Sequence, residues 1–148
     1  MKKNILVVAL LLSVGILNAQ SPVKWSYKAK KTGDKLYEIR LEAKLDDDWH
    51  IYSQTTPEGG PVPTAILFSK NPLLTLEGGI KEVGKLEEHF EPLFGVKVKQ
   101  YSDRVEFVQI IKLKAAVKTA INGHLEFMIC NDAECMPPTK KAFSISLN

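Results

Sequence analysis

The stretch KLYEIRLEAKL, residues 35–45, puts Tyr37, Ile39, Leu41, Ala43 and Leu45 on one side of an extended chain and Glu38, Arg40, Glu42 and Lys44 on the other. Successive side chains of a strand point to opposite faces, so a period of two specifies a strand with one buried and one wet face. The same alternation, less regular, runs through residues 24–30, 49–54, 64–69, 73–77, 96–101, 105–114, 124–130 and 142–147. Turn-forming segments separate these runs: KTGDK, LDDD, PEGGPVP, KNP, EGG, YSD and NGH. Only Ala115 to Ala120 reads as a helical turn. Eight or nine short strands at this spacing predict an all-β antiparallel sandwich. An up-and-down barrel fits less well, because the breaks at Pro57–Pro63 and Pro137–Pro138 suit sandwich edges and crossovers.

The first twenty residues, MKKNILVVALLLSVGILNAQ, place Lys2 and Lys3 before an apolar run from Ile5 to Leu17 that ends in small or polar residues. That order is a secretory signal, and the expected cut follows Ala19 or Gln20. The run is short for a membrane span and no second one follows, so no span is expected in the mature chain. A leader of this kind points to the periplasm. The domain expected after cleavage is a single one, residues 21–148, long enough for one core but not two. Removing Lys2 and Lys3 leaves 18 Lys and Arg against 17 Asp and Glu, a net charge of +1. The lysines alternate with apolar residues instead of clustering, so no nucleic-acid partner is expected.

Cys130 and Cys135, within MICNDAECMPPTKK, are the two cysteines of the 148 residues. In an oxidising compartment a lone pair is normally found as a disulfide. The bond would close a ring of about six residues, which loop entropy values at roughly 2 kcal/mol, little for a sandwich of this size. Asn131, Asp132, Ala133 and Glu134 are turn formers that keep the loop accessible, and Pro137 and Pro138 bar it from an inner strand. A structural bridge and a redox pair both fit this spacing. So does a Cu(I) site of Cys130, Cys135 and Met136 with Met128 or His124 nearby, since soft donors select that ion. Zinc needs four ligands, which the sequence does not visibly supply.

DDWHIYS, then FEPLFG, then CNDAECMPPTKK occur in that order across the mature chain. Together they resemble the amino-terminal periplasmic domain of the thiol:disulfide interchange protein DsbD, with Cys-x-x-x-x-Cys-x-Pro-Pro the most specific element. The resemblance implies an immunoglobulin-like sandwich and a thiol:disulfide oxidoreductase. It would take electrons from a thioredoxin-like donor and pass them to oxidised periplasmic proteins, with no cofactor and no metal, as a monomer. It also implies that Cys135 forms the mixed disulfide and Cys130 resolves it. EEHFEPLFG resembles the family's cap loop, with Phe90, Leu93 and Phe94 as the cap candidates, Leu93 at the aromatic cap position and Phe94 beside it; otherwise the two phenylalanines are core. WHIYS resembles the strand facing the cysteines, with Tyr52 near the sulfurs and His50 on the same strand face. His50, if charged, would favour a thiolate, whereas Glu91 would oppose thiol ionisation. The cysteine loop is one residue shorter than in the long membrane-embedded members. Those members carry a transmembrane electron carrier and a thioredoxin domain, so here a separate protein is the expected donor.

Overall fold

The computed structural model describes residues 21–148; the leader read over residues 1–20 lies outside them. The described residues form eleven strands, all pairings among them are antiparallel, and they include no helix.

β1 (Val23–Gly33), β2 (Leu36–Leu45), β8 (Arg104–Leu113) and β5 (Leu74–Gly84) make one sheet, in the order β1-β2-β8-β5. The alternating residues of β2 are buried as expected, and they face Val105, Phe107, Gln109 and Ile111 of β8 in register. A second sheet, β11-β9-β4, is built from β4 (Ala65–Phe68), β9 (Thr119–Phe127) and β11 (Thr139–Leu147). The two inner faces share one core. Trp25 of β1 bridges them, its ring centroid 6.0 Å from that of Phe107 and 5.3 Å from that of Phe127. Burying a side chain such as Phe107 completely stabilises the fold by about 1.5–3 kcal/mol.

The third sheet carries the site. Its order is β10-β3-β7-β6, from β3 (His50–Tyr52), β6 (Glu87–Glu91), β7 (Val96–Ser102) and β10 (Ile129–Cys130). Ile51, Tyr101 and Ile129 point into the main core. By alternation, the opposite face carries His50, Tyr52, Gln100, Val98, Glu91 and Cys130. There Tyr52, Val98 and Cys130 form a second small cluster with Val96, Met128 and Cys135 against it.

Four sequence expectations change. NGH is not a turn: Gly123 lies inside β9, where a Cβ would stand 2.3 Å from the Leu67 carbonyl oxygen and 2.7 Å from the Phe143 ring. Glycine is required there by close approach, not by turning. EGG is a bulge within β5, with Gly78 at φ +69° and the register shifted between Glu77 and Lys81. The buried Gln109 amide donates to the carbonyls of Glu77, at 3.1 Å, and Gly78, at 3.3 Å, at the edge of this bulge. Residues 115–120 hold a bend and the start of β9 in place of a helical turn. Finally, the run 124–130 is two strands: the chain leaves the second sheet after Phe127, passes Met128, and joins the third sheet as β10.

Candidate functional site

The cysteine segment is an excursion from one hairpin. Phe127 of β9 and Thr139 of β11 are paired, and residues 128–138 between them cross onto the third sheet. Ile129 and Cys130 pair with Ile51 and His50 of β3, which fixes Cys130 at a buried position with no exposed surface. Cys135 returns opposite Cys130 as an isolated antiparallel bridge with a Cα–Cα distance of 4.0 Å, and the two sulfurs are bonded. The turn between them closes on itself. Asn131 N donates to Glu134 O at 2.9 Å, Met136 N to Ile129 O at 2.9 Å, and Asn131 Oδ1 accepts from Ala133 N at 2.9 Å and Glu134 N at 2.8 Å. Asx-type acceptance by Asn131 explains why CNDAEC folds back so tightly. Cys135 is half-buried, while Asp132, Ala133, Glu134 and Met136 are exposed.

Three polar side chains share the buried face with Cys130. Tyr52 Oη donates to Glu91 Oε2 at 2.9 Å, and His50 Nε2 lies 3.0 Å from Tyr52 Oη and 3.4 Å from Glu91 Oε2. Because the Tyr52 proton is directed to the carboxylate, His50 Nε2 is the donor to the phenol oxygen. Burial holds the His50 imidazole below its ordinary range, against the opposing pull of the Glu91 carboxylate. His50 is therefore neutral at pH 7 and does not supply the charge that would favour a thiolate. Burial, reinforced by the hydrogen bond to Glu91, drives the Tyr52 phenol far upward, so it stays a donor. Donor atoms of His50, Glu91 and Cys130 all lie within 4.8 Å of one another.

Glu91 is delivered by the turn that follows it. Gly95 N donates to Glu91 O at 2.8 Å and Phe94 N to the same oxygen at 3.2 Å, with Gly95 at φ +69°. This hairpin turn leaves Leu93 52% and Phe94 36% exposed. Phe90, on β6 directly before Glu91, points by alternation away from the cysteine face and is 55% exposed. None of the three belongs to a core cluster. His124 is on β9 in the second sheet, apart from the cluster, and Met128 packs against the cysteine-side cluster. A cleft of about 640 Å³ adjoins the site, lined by His50, Gln100, Asp132 of the cysteine turn, and Asp46, Asp47, Asp48 and Asp103.

Residues 17–147 match the family described as thiol:disulfide interchange protein DsbD, N-terminal. The chain belongs to the DsbD N-terminal family. No curated protein matches it. Among solved structures, the N-terminal periplasmic domain of ScsB from Proteus mirabilis superposes with a TM-score of 0.61 at 19% identity, over 88% of this chain and 48% of that one. The DsbD N-terminal domain from Neisseria meningitidis, in its reduced form, gives a TM-score of 0.45 at 17% identity, over 84% of this chain and 86% of that one. The chain thus spans about half the length of the ScsB domain, and that likeness is one of fold. The all-β antiparallel fold and the bonded Cys130–Cys135 pair agree with this family membership. No helix among the described residues is long and apolar enough to cross a membrane.

Two contributors to this DsbD-type site escape sequence reasoning. Gly60, in the PEGGPVP segment, lies over the same face, where an added Cβ would be 2.8 Å from Val96 Cγ2 and 3.7 Å from Val98 Cγ1. Gln100 lies opposite Tyr52 in register, and its buried Oε1 has no hydrogen-bond partner. The proline spacing marks only a loop, and Gln100 reads as one polar position in an alternating strand.

Proposed function

We propose that this chain works in the periplasm as a monomeric relay, passing electrons from a thioredoxin-like donor to oxidised envelope proteins through Cys130 and Cys135. The observation that carries the reading is the asymmetry of the pair. Cys130 is fully buried on β10, whereas Cys135 is half-buried at the open end of a self-closed turn. A donor thiolate attacks Cys135 Sγ, forms a mixed disulfide with it and releases Cys130 as a thiolate. The donor's second thiol then attacks its own bridged sulfur, so the donor leaves oxidised and the domain holds two thiols. In the forward step the Cys135 thiolate attacks a substrate disulfide, and Cys130 resolves the adduct, returning the ring. Electrons travel as the sulfur–sulfur bonding pair, and no cofactor is needed.

The surroundings support these roles. Glu91 and His50 crowd the buried Cys130, whereas Cys135 is the half-buried sulfur, which leaves Cys135 as the one a partner reaches. Leu93 and Phe94 are an apolar knob on the turn after Glu91, suited to contact a partner and to serve as the cap.

A Cys130→Ser variant tests the assignment: in cell envelopes it should accumulate a mixed disulfide through Cys135, and Cys135→Ser should not. If both variants trap equally, or neither does while partner reduction continues unchanged, the relay reading fails.

A further inference from the structure

We propose that the dithiol form of this chain binds one zinc ion between Cys130, Cys135, His50 and Glu91. The inference rests on the redox reading above, since only reduction frees both sulfurs to ligate. Zinc takes four ligands in a tetrahedron, with bonds of about 2.0–2.2 Å to nitrogen and oxygen and about 2.3 Å to sulfur. The edge between a nitrogen and an oxygen ligand is then roughly 3.3–3.5 Å. His50 Nε2 and Glu91 Oε2 already stand 3.4 Å apart. The third donor, Cys130 Sγ, lies within 4.8 Å of both, and all three residues are buried. Sulfur needs to sit about 3.5–3.8 Å from each, a shift on the order of 1 Å that rotation of the freed Cys130 side chain supplies. Cys135 faces Cys130 across the bridge, outside the three donors that already lie within 4.8 Å of one another, and its freed side chain swings inward to complete the set.

The donors also select the ion. Two thiolates, an imidazole and a carboxylate make the mixed set zinc accepts, whereas Cu(I) prefers thiolates and thioethers. Met136 is exposed and His124 is in another sheet, so of the soft donors weighed from sequence Met128 is the one that packs beside the two cysteines. The Tyr52 hydroxyl gives Glu91 the outer hydrogen bond that orients a ligating carboxylate, while its contact with His50 Nε2 is exchanged for the metal bond.

Binding is not a redox step: two Zn–S bonds, one Zn–N and one Zn–O bond form, two thiol protons pass to solvent, the imidazole proton moves from Nε2 to Nδ1, and no electron moves. Because only the dithiol binds, zinc favours reduction of the pair. Each tenfold rise in free zinc above the dissociation constant should raise the midpoint potential by about 30 mV. Both sulfurs are meanwhile held, so exchange stops until the ion is removed.

The test uses the full chain, reduced anaerobically, titrated with Zn²⁺ against a chromophoric chelator and with Co²⁺ as spectroscopic stand-in. Expected are one ion per dithiol chain, none on the disulfide form, and a Co²⁺ spectrum with thiolate charge transfer and tetrahedral bands. His50→Gln and Glu91→Gln should each weaken binding by about tenfold or more. Binding to the disulfide form, or dithiol binding indifferent to both substitutions, overturns the proposal. Should those variants fail to fold, the wild-type midpoint decides: one that does not move with zinc overturns it. A pair that exchanges normally but ignores zinc refutes the metal site alone, whereas a pair that resists reduction altogether refutes the relay.

Discussion

Opening the Cys130–Cys135 bond should cost the fold no more than about 2 kcal/mol, the loop-entropy value for a ring of six residues. Nothing else that shapes the segment depends on the bond. The turn keeps its Asn131–Glu134 and Met136–Ile129 backbone hydrogen bonds, and β10 remains paired to β3 through Ile129 and Cys130. Urea unfolding of the oxidised chain and of the chain held in a non-thiol reductant at pH 7 measures the difference. The urea dependence should be equal in the two forms, because the same surface is exposed on unfolding. A reduced chain that loses more than about 4 kcal/mol, at the upper end of the usual disulfide range, would mean that the pair is a staple and that the turn is not self-sufficient. Asn131→Ala is the complementary perturbation. It deletes the acceptor of two short bonds, at 2.9 and 2.8 Å, in an exposed turn. At the low end of the net value per bond, the two together are worth about 1 kcal/mol. The dithiol turn then loosens, ring closure becomes less favourable, and the midpoint potential should rise by about 20 mV. An unchanged midpoint would show that Asn131 does not hold the sulfurs together.

Three further outcomes are expected. Tyr52→Phe leaves the buried Glu91 carboxylate without its phenol donor and should cost about 2 kcal/mol in urea unfolding; a variant as stable as the parent contradicts the bond. His50 has a folded pKa depressed by burial, so the unfolded chain takes up a proton that the fold resists. The stability this contributes is full above the unfolded value of about 6.5 and is lost as pH falls through the folded value, with a slope of at most about 1.4 kcal/mol per pH unit. Melting curves between pH 5 and 7.5 should show a decline that is shallower in His50→Gln, and parallel curves would refute the assignment. Gly123→Ala places a methyl 2.3 Å from the Leu67 carbonyl and should destabilise by about 1–3 kcal/mol; an unchanged Tm means that β4 and β9 separate without cost.

β2 was legible because its two faces meet different solvents, and the alternation of Tyr37 to Leu45 records that difference directly. β6 was not legible for the same physical reason. EEHFE lies at a sheet edge with four of its five residues in contact with solvent, so no apolar period marks it. Gly123 and Gly78 illustrate an ambiguity in kind: glycine serves a turn, a bulge or a close contact, and only the neighbours distinguish them. The cysteines, Tyr52 and the FEPLFG turn were visible as motifs. The meeting of His50 with Glu91 was not, because it depends on the register of β3 and β6 against β7 between them. Single-sequence reasoning has no access to that register. For the same reason the meeting of His50, Glu91 and Cys130, three donors from separate strands, has no trace in residue spacing.

The placement of residues 128–138 inside the β9–β11 connection has a consequence for how such domains diversify. Both ends of the excursion are fixed by the Phe127–Thr139 pair, whose strands belong to the sandwich core. Length changes within it are thus confined between two clamped points, and adding or removing a residue alters closure entropy only slightly. The sandwich behaves as a chassis and the cysteine segment as an exchangeable cassette. Transplanting 128–138 from a relative with a longer ring, together with the facing β3 residues, should change the chemistry while leaving the chassis folded.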